Sequence, residues 1–312
     1  MHRLLILSRH APVFRDLILL AGALDLEIIT ATDPDQIPAG GLDCSIILGE
    51  PSLICRVLPV LSSLKWVQST WAGVEPLVVP GLRRDYVLTN ARGVFGSLMS
   101  EFVFGYMLAR ERRILERHFS QQEMRWDTSL PGRLSGKTIG LMGVGSIGSA
   151  LAKTGKHFGM IVKGYSRSSS SCPEVNAWFH GPDLPRFAEN LDYLVCTLPN
   201  TTQTRRLVNA AFLQALPKRA VLFNVGRGNA LDETDLVAAL KSGTIAGAVL
   251  DVFEEEPLPP DHALWHTPNV IITSHTAAPS FPQDIAPLFL ENYHRMIQGL
   301  PLFYRVDFEK GY

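Results

Sequence analysis

Lys137-Thr138-Ile139-Gly140-Leu141-Met142-Gly143-Val144-Gly145-Ser146-Ile147-Gly148-Ser149-Ala150-Leu151-Ala152-Lys153-Thr154-Gly155-Lys156 reads as a strand, a glycine turn and a helix in immediate succession. Residues 137–142 are apolar and β-prone, and residues 149–156 have the composition of a helix start. Between them Gly143, Gly145 and Gly148 make a G-x-G-x-x-G spacing. Such a spacing alone is weak evidence, because glycine-rich turns are common; the strand before and the helix after give it a mechanism. The first glycine makes the tight turn, the second lets backbone approach a pyrophosphate, and the third lets helix and strand pack closely. The helix N-terminus then faces the phosphate charge. Gly143, Gly145, Ser146, Ile147 and Gly148 are therefore expected to bind a dinucleotide.

The next β-run, Met160-Ile161-Val162-Lys163-Gly164-Tyr165, ends where an NAD-binding fold usually places an acid for the ribose hydroxyls. Here it ends in Ser166-Arg167-Ser168-Ser169-Ser170-Ser171, without Asp or Glu. A guanidinium flanked by hydroxyls suits a 2′-phosphate, and no carboxylate stands there to repel it. Ser166, Arg167 and Ser168 thus favour NADP(H) over NAD(H).

Size and composition bound the remaining choices. A chain of 312 residues accommodates two domains with proper cores. Lys and Arg (29) nearly balance Asp and Glu (30), so no nucleic-acid surface is expected. The basic cluster at Arg110, Arg112 and Arg113 is interleaved with Glu111 in a helical stretch, which suits a solvated or subunit-facing side. Cys44, Cys55, Cys172 and Cys196 show no C-x-x-C spacing. The start, Met1 to His10, is too soon charged for a signal peptide, and no apolar run approaches a membrane span. A soluble cytoplasmic protein without membrane contact is the expectation.

Apolar runs alternate with helical segments along the whole chain, which predicts α/β architecture with parallel sheets. The first set is Leu4–Leu7, Leu26–Ile29, Cys44–Leu48, Trp66–Gln68 and Tyr86–Leu88; a long helical pattern from Leu98 to Arg125 follows. The second set is 138–143, 160–165, 193–196, 221–225, 246–250 and 270–273, the six strands a complete dinucleotide domain needs. Pro282 to Gly299 reads as a further helix, and the tail after it is too short to be a domain. The predicted fold is therefore two doubly wound parallel-sheet domains. A Rossmann cofactor domain, 99–281, is inserted into a flavodoxin-like substrate domain made of 1–98 and the return segment 282–312.

Three ionisable residues stand just beyond the last three predicted strands: Arg227, Glu256 and His275. The carboxyl ends of strands line the ligand crevice of a doubly wound sheet, so these side chains are expected to converge. A guanidinium holds a carboxylate bidentately, a histidine moves a proton near neutral pH, and a carboxylate orients and charges that histidine. Each has a bland reading by itself; at successive strand ends, beside a cofactor turn, the three read as catalytic.

The chain resembles the D-isomer-specific 2-hydroxyacid dehydrogenases, and most closely their glyoxylate/hydroxypyruvate reductase branch. The resemblance rests on Ala72-Gly73-Val74, the cofactor turn, Leu198-Pro199-Asn200-Thr201, Asn224-Val225-Gly226-Arg227-Gly228, Leu250-Asp251-Val252-Phe253 with Glu256-Pro257, and the His275 segment, in the family's order. It implies that Arg227 holds the 2-oxoacid, His275 is the acid/base and Glu256 pairs with it. It further implies that Ala72 and Gly73 amides bind the substrate carboxylate, that Asp251 meets the nicotinamide amide, and that Leu198, Pro199 and Val225 line the cofactor. A homodimer built through the cofactor domains is implied as well. Two departures stand out: Ser274 where the family often has Pro, and Trp71 before Ala72, which is placed to shape the substrate pocket.

Other motifs fail. Gly132 to Thr138 falls one residue short of a P-loop and precedes a strand instead of following one. His262 and His266 have metal-like helical spacing but lack the Glu of a zinc protease, so no metal is expected. The reading is an NADP(H)-dependent reductase of small 2-oxoacids, D-specific where the product is chiral. Its rivals are a dehydrogenase of a bulkier or phosphorylated D-2-hydroxyacid, and a non-catalytic NAD(P)-sensing protein of the corepressor kind.

Overall fold

The computed structural model describes residues 2–22, 25–167 and 171–311. The chain divides into two compact units, Met1–Val94 with Ser280–Tyr312, and Phe95–Pro279.

The first unit holds β1 (His2–Leu7), β2 (Leu26–Ala31), β3 (Ile46–Gly49), β4 (Trp66–Ser69) and β5 (Val87–Thr89). All pair in parallel in the order β2-β1-β3-β4-β5, the flavodoxin-like order. Leu4, Leu5, Ile6 and Leu7 of β1 are all fully buried. That is why this strand reads as an unbroken apolar run: crossover connections cover both faces of a parallel sheet. Helices Ala11–Leu20 and Pro51–Val57 bury Phe14, Ile18 and Ile54. The return segment supplies helix Pro282–Ile297, begun by a proline whose missing N–H costs nothing at a helix start. Its Phe289 stacks on Trp66 with centroids 5.2 Å apart, and buried Asn292 donates to Gln68 Oε1 at 3.0 Å. The tail closes on the same sheet, where the Val306 amide donates to the Leu88 carbonyl at 2.8 Å.

The second unit holds β6 (Thr138–Met142), β7 (Ile161–Tyr165), β8 (Ala177–Phe179), β9 (Tyr193–Cys196), β10 (Val221–Asn224), β11 (Gly247–Leu250) and β12 (Val270–Ile272). The all-parallel order β12-β11-β10-β9-β6-β7-β8 is the Rossmann order with one strand added at the β12 edge. The strand order reverses between β6 and β9, so the ends of these two strands flank the switch point.

Three features differ from the sequence expectation. The sheet has seven strands instead of six, because Ala177-Trp178-Phe179, without a β-branched residue, forms a further edge strand. The long helical pattern is two helices, Gly96–Glu111 and Ile114–Gln122, broken where Arg113 adopts a φ of 54°. The division into units falls at 94/95 and 279/280 instead of 98/99 and 281/282. Helix Gly96–Glu111 packs on helix Ser146–His157 from its first residue: a Cβ at Gly96 would come 2.7 Å from the Ala150 Cβ. Among the described residues no helix is long and apolar enough to cross a membrane.

Candidate active site

The cofactor turn begins as β6 ends. Gly143 has a φ of +99°, a conformation that side chains resist, and its amide donates to the Tyr165 carbonyl at 2.9 Å. Its carbonyl accepts from Thr197 Oγ1 at 2.9 Å, tying the end of β6 to the end of β9. A Cβ at Gly148 would collide with the Gly143 carbonyl, so helix and turn touch backbone to backbone. At Gly145 the opposite holds: an added Cβ meets no atom within 4 Å. The open side of the turn thus lies at the start of helix Ser146–His157, whose first amides, those of Ser146, Ile147 and Gly148, have no acceptor within the helix. An open, amide-lined helix start fits a pyrophosphate.

Beside this turn the β9 and β10 ends approach closely. Leu198 is 9% exposed, and Thr204 Oγ1 donates to the Pro199 carbonyl at 2.7 Å, closing the loop after it. The Val225 amide donates to the Cys196 carbonyl at 3.1 Å, and a Cβ at Gly226 would lie 2.7 Å from the Leu198 amide nitrogen. Beyond β7, Ser166 is half-buried and its carbonyl meets His180 Nδ1 at 2.8 Å. The exposed Arg167 donates to Gln203 Oε1 at 3.3 Å. Ser168 lies outside the described residues. This end of β7 thus carries hydroxyl, guanidinium and amide groups.

The candidate catalytic residues are set by three loops. Arg227 follows β10 in a turn held by Asn224, whose Nδ2 donates to the Arg227 carbonyl at 3.2 Å and whose Oδ1 accepts from the Gly226 amide at 3.3 Å. Glu256 follows β11, and its Oε1 accepts from the Phe253 amide at 2.9 Å. His275 follows β12 with a φ of 55°. Asp251, 1% exposed, holds that last loop: Oδ1 accepts from Thr273 Oγ1 at 2.6 Å and from the Thr276 amide at 2.9 Å, and Oδ2 from the Ala277 amide at 3.0 Å. Its carbonyl takes the His275 amide at 2.8 Å. Whatever Asp251 gives a cofactor, it also fixes the backbone on both sides of His275.

His275 Nδ1 meets Glu256 Oε2 at 2.8 Å, with the side chains 52% and 36% exposed. The hydrogen bond to Glu256 raises the imidazole above its ordinary pKa; burial opposes, the Glu256 charge reinforces, Arg227 opposes and Asp251 reinforces. For Glu256 burial is the largest influence and pushes its carboxyl up. The hydrogen bonds from His275 and the Phe253 amide, with the charges of His275 and Arg227, outweigh it and leave the carboxyl below its usual range. Both shifts favour the charged forms, imidazolium and carboxylate, and the Arg227 guanidinium acts on both groups. Such a set can donate a proton from Nε2 while Nδ1 is held, and can receive an anion at Arg227.

In the first unit, the Trp71 amide donates to Ser69 Oγ at 2.9 Å, and the Trp71 carbonyl accepts from the Ala91 amide at 3.0 Å. The Ala72 carbonyl accepts from Asn90 Nδ2 at 3.0 Å. The turn through Trp71, Ala72 and Gly73 is therefore pinned by its carbonyls. Sequence reasoning missed the tethers Thr197, Asn224 and Gln203, and the anchoring role of Asp251; isolated polar residues after strands carry no pattern of their own. Among the described residues no group of three or more His, Cys, Asp or Glu is arranged to hold a metal ion.

The family model described as D-isomer specific 2-hydroxyacid dehydrogenase, NAD binding domain, matches residues 104–277. The chain is 34% identical over 217 residues, 70% of each chain, to glyoxylate/hydroxypyruvate reductase A of Klebsiella pneumoniae subsp. pneumoniae. It is 42% identical, with a TM-score of 0.93 and coverage of 98% and 99%, to a D-isomer specific 2-hydroxyacid dehydrogenase family protein from Aeromonas salmonicida subsp. salmonicida. The NADPH-dependent glyoxylate/hydroxypyruvate reductase from Sinorhizobium meliloti, in complex with NADP and sulfate, aligns over 100% of both chains with 29% identity and a TM-score of 0.86.

Proposed function

Because the chain belongs to the D-isomer-specific 2-hydroxyacid dehydrogenase family, in its glyoxylate/hydroxypyruvate reductase-like branch, we propose that it reduces glyoxylate and hydroxypyruvate with NADPH. Membership makes it an NAD(P)-dependent oxidoreductase. The reading rests above all on the 2.8 Å contact of His275 with Glu256 at a strand end, in a unit that also carries the dinucleotide turn.

Bound NADPH supplies the hydride for the carbonyl carbon. The chain supplies the rest. Protonated His275 gives the Nε2 proton to the carbonyl oxygen while Nδ1 stays on Glu256, which stabilises the imidazolium. Arg227 fixes the substrate carboxylate and polarises the carbonyl. Ala72 and Gly73 donate backbone amides to the carboxylate, and Trp71 bounds the substrate's remaining substituent. Ser166 and Arg167 would hold the 2′-phosphate, Leu198, Pro199 and Val225 would line the cofactor, and Asp251 would meet its amide. A chiral product has the D configuration.

The second unit also bears Met124, Trp126 and Leu130, which are 95%, 91% and 90% exposed. Three large apolar side chains this exposed within seven residues of sequence suit an association site, which supports a homodimer formed through this unit. Sedimentation velocity of the wild type and of Trp126→Ser tests it: a monomeric wild type removes the dimer.

A panel of 2-oxoacids assayed with NADPH and with NADH tests the function. Turnover of glyoxylate or hydroxypyruvate is expected. Turnover confined to bulkier or phosphorylated oxoacids would replace the substrate. Nucleotide binding without turnover of any oxoacid would make the protein a sensor.

A further inference from the structure

The histidine of the failed metal motif has another partner. His262 Nε2 lies 3.2 Å from Glu233 Oε2, and its Nδ1 accepts the Leu264 amide at 3.3 Å. An amide donor at Nδ1 leaves the proton on Nε2, so His262 donates to Glu233. The other Glu233 oxygen, Oε1, accepts the Glu254 amide at 2.8 Å. One residue earlier, the Phe253 amide donates to Glu256 Oε1 at 2.9 Å, and Glu256 Oε2 is the oxygen that meets His275. Gly228 packs against the same Phe253–Glu254 peptide so closely that a Cβ there would overlap it.

We propose that Glu233 and His262 are positioning residues that hold the 253–256 loop and keep Glu256 in register with His275. The inference rests on the function proposed above, in which His275 is the proton donor. The anchors themselves are shielded, the Glu233 and His262 side chains being 12% and 27% exposed, while the Glu254 backbone they hold lies at the surface. The surface pairs on the same loop are weaker holds. Arg205 and Arg206 reach the Glu254 side chain at 3.1 and 3.6 Å, but these guanidinium groups are mostly exposed and screened.

His262, Glu254 and Asp232 face Glu233, whose carboxyl burial pushes up while the Glu254 amide and His262 pull it down. Arg227 faces both Glu256 and His275, and Asp251 faces His275. None of these would replace the bond from the Glu254 amide to Glu233. With that bond gone, the loop relaxes, Glu256 loses its fixed distance to His275, and the imidazole is charged over a narrower pH range.

The test compares Glu233→Ala, Glu233→Gln and His262→Leu with the wild type and Glu256→Gln. Glyoxylate reduction by NADPH is followed across pH, and the His275 imidazole is titrated by NMR in cofactor-free protein, its signal assigned by its loss in His275→Gln. Glu233→Ala is expected to lower kcat about tenfold on the alkaline side and less than about twofold at acid pH. Its NMR titration should move to lower pH, with NADPH affinity unchanged. Glu233→Gln, which keeps an acceptor for the Glu254 amide, should restore most of the alkaline activity, and His262→Leu should fall between. If Glu233→Ala does not fold, His262→Leu carries the same prediction with a smaller shift. Adding Glu233→Ala to Glu256→Gln should cost little more, because both act through one contact. A rate loss equal at every pH, or a His275 titration that stays in place, overturns the proposal. Absence of wild-type 2-oxoacid turnover would instead sink the function, while the NMR titration would still decide the positioning.

Discussion

His275 Nδ1 and Glu256 Oε2 are 2.8 Å apart although they follow different strands, β12 and β11. The contact lifts the imidazole above its ordinary pKa, first through the hydrogen bond and then through the carboxylate charge. Carbonyl reduction consumes the imidazolium proton, so activity is present below the His275 pKa and is lost as pH rises through it. Glu256→Gln removes the charge that favours the imidazolium, and the alkaline limb of the reduction profile should move to lower pH. Oxidation of the hydroxyacid needs the neutral imidazole, so its acid limb should move down as well. Profiles in both directions check this; a reduction limb that stays in place would remove the pair from the mechanism.

His275→Gln should nearly abolish turnover and leave NADPH affinity close to wild type. General acid catalysis contributes about 10²- to 10⁴-fold, and the loss should be at least that large. Steady-state kinetics alongside a fluorescence titration of NADPH separate the two effects.

Arg227→Ala should damage substrate use far more than cofactor binding. Loss of a charge-assisted pair to a small carboxylate costs about 1.5–3 kcal/mol before any effect on the transition state. A rise in KM alone would indicate a binding role, and a fall in kcat as well would support carbonyl polarisation.

Arg167→Ala should erase most of the preference for NADPH by weakening NADPH, not by improving NADH. One or two charge-assisted bonds to the 2′-phosphate, at about 1.5–3 kcal/mol each, imply a preference of at least about tenfold. Arg167 is exposed, so added salt should narrow the gap. Equal or better kcat/KM with NADH in the wild type would refute the reading of this loop and leave the family intact.

Gly148→Ala should destabilise the second unit and weaken cofactor binding together. The added methyl meets the Gly143 carbonyl, which is backbone and cannot swing aside. Overpacking of this kind costs about 1–3 kcal/mol. A thermal melt with and without NADPH reads both effects; a variant with wild-type Tm and affinity would show that helix and turn have slack.

The architecture was legible because its signals are local. Leu4 to Leu7 are buried on both faces and so form an unbroken apolar run, and the same holds for Tyr193 to Cys196 and Val221 to Phe223. Ala177 to Phe179, a three-residue edge strand of intermediate burial, lacks the β-branched residues that mark the equally short Val270 to Ile272. The helical pattern before the second sheet was read through Arg113 because arginine is a good helix former; its left-handed φ is imposed by surroundings that composition does not record.

By itself the sequence determined the order of strands, the place of the cofactor turn and the three ionisable residues at strand ends, since each is written within a few neighbouring residues. Only the tertiary structure decided that Glu256 lies 2.8 Å from His275, and that Glu254 of the same acidic run reaches outward to arginine instead. It also decided that Asp251 anchors backbone 25 and 26 residues away, and that His262 meets Glu233 at 3.2 Å. These outcomes depend on loops from separate strands meeting within about 3 Å, the range in which hydrogen bonds have force. Side-chain identity along the chain does not encode that distance; the packed sheet beneath the loops sets it.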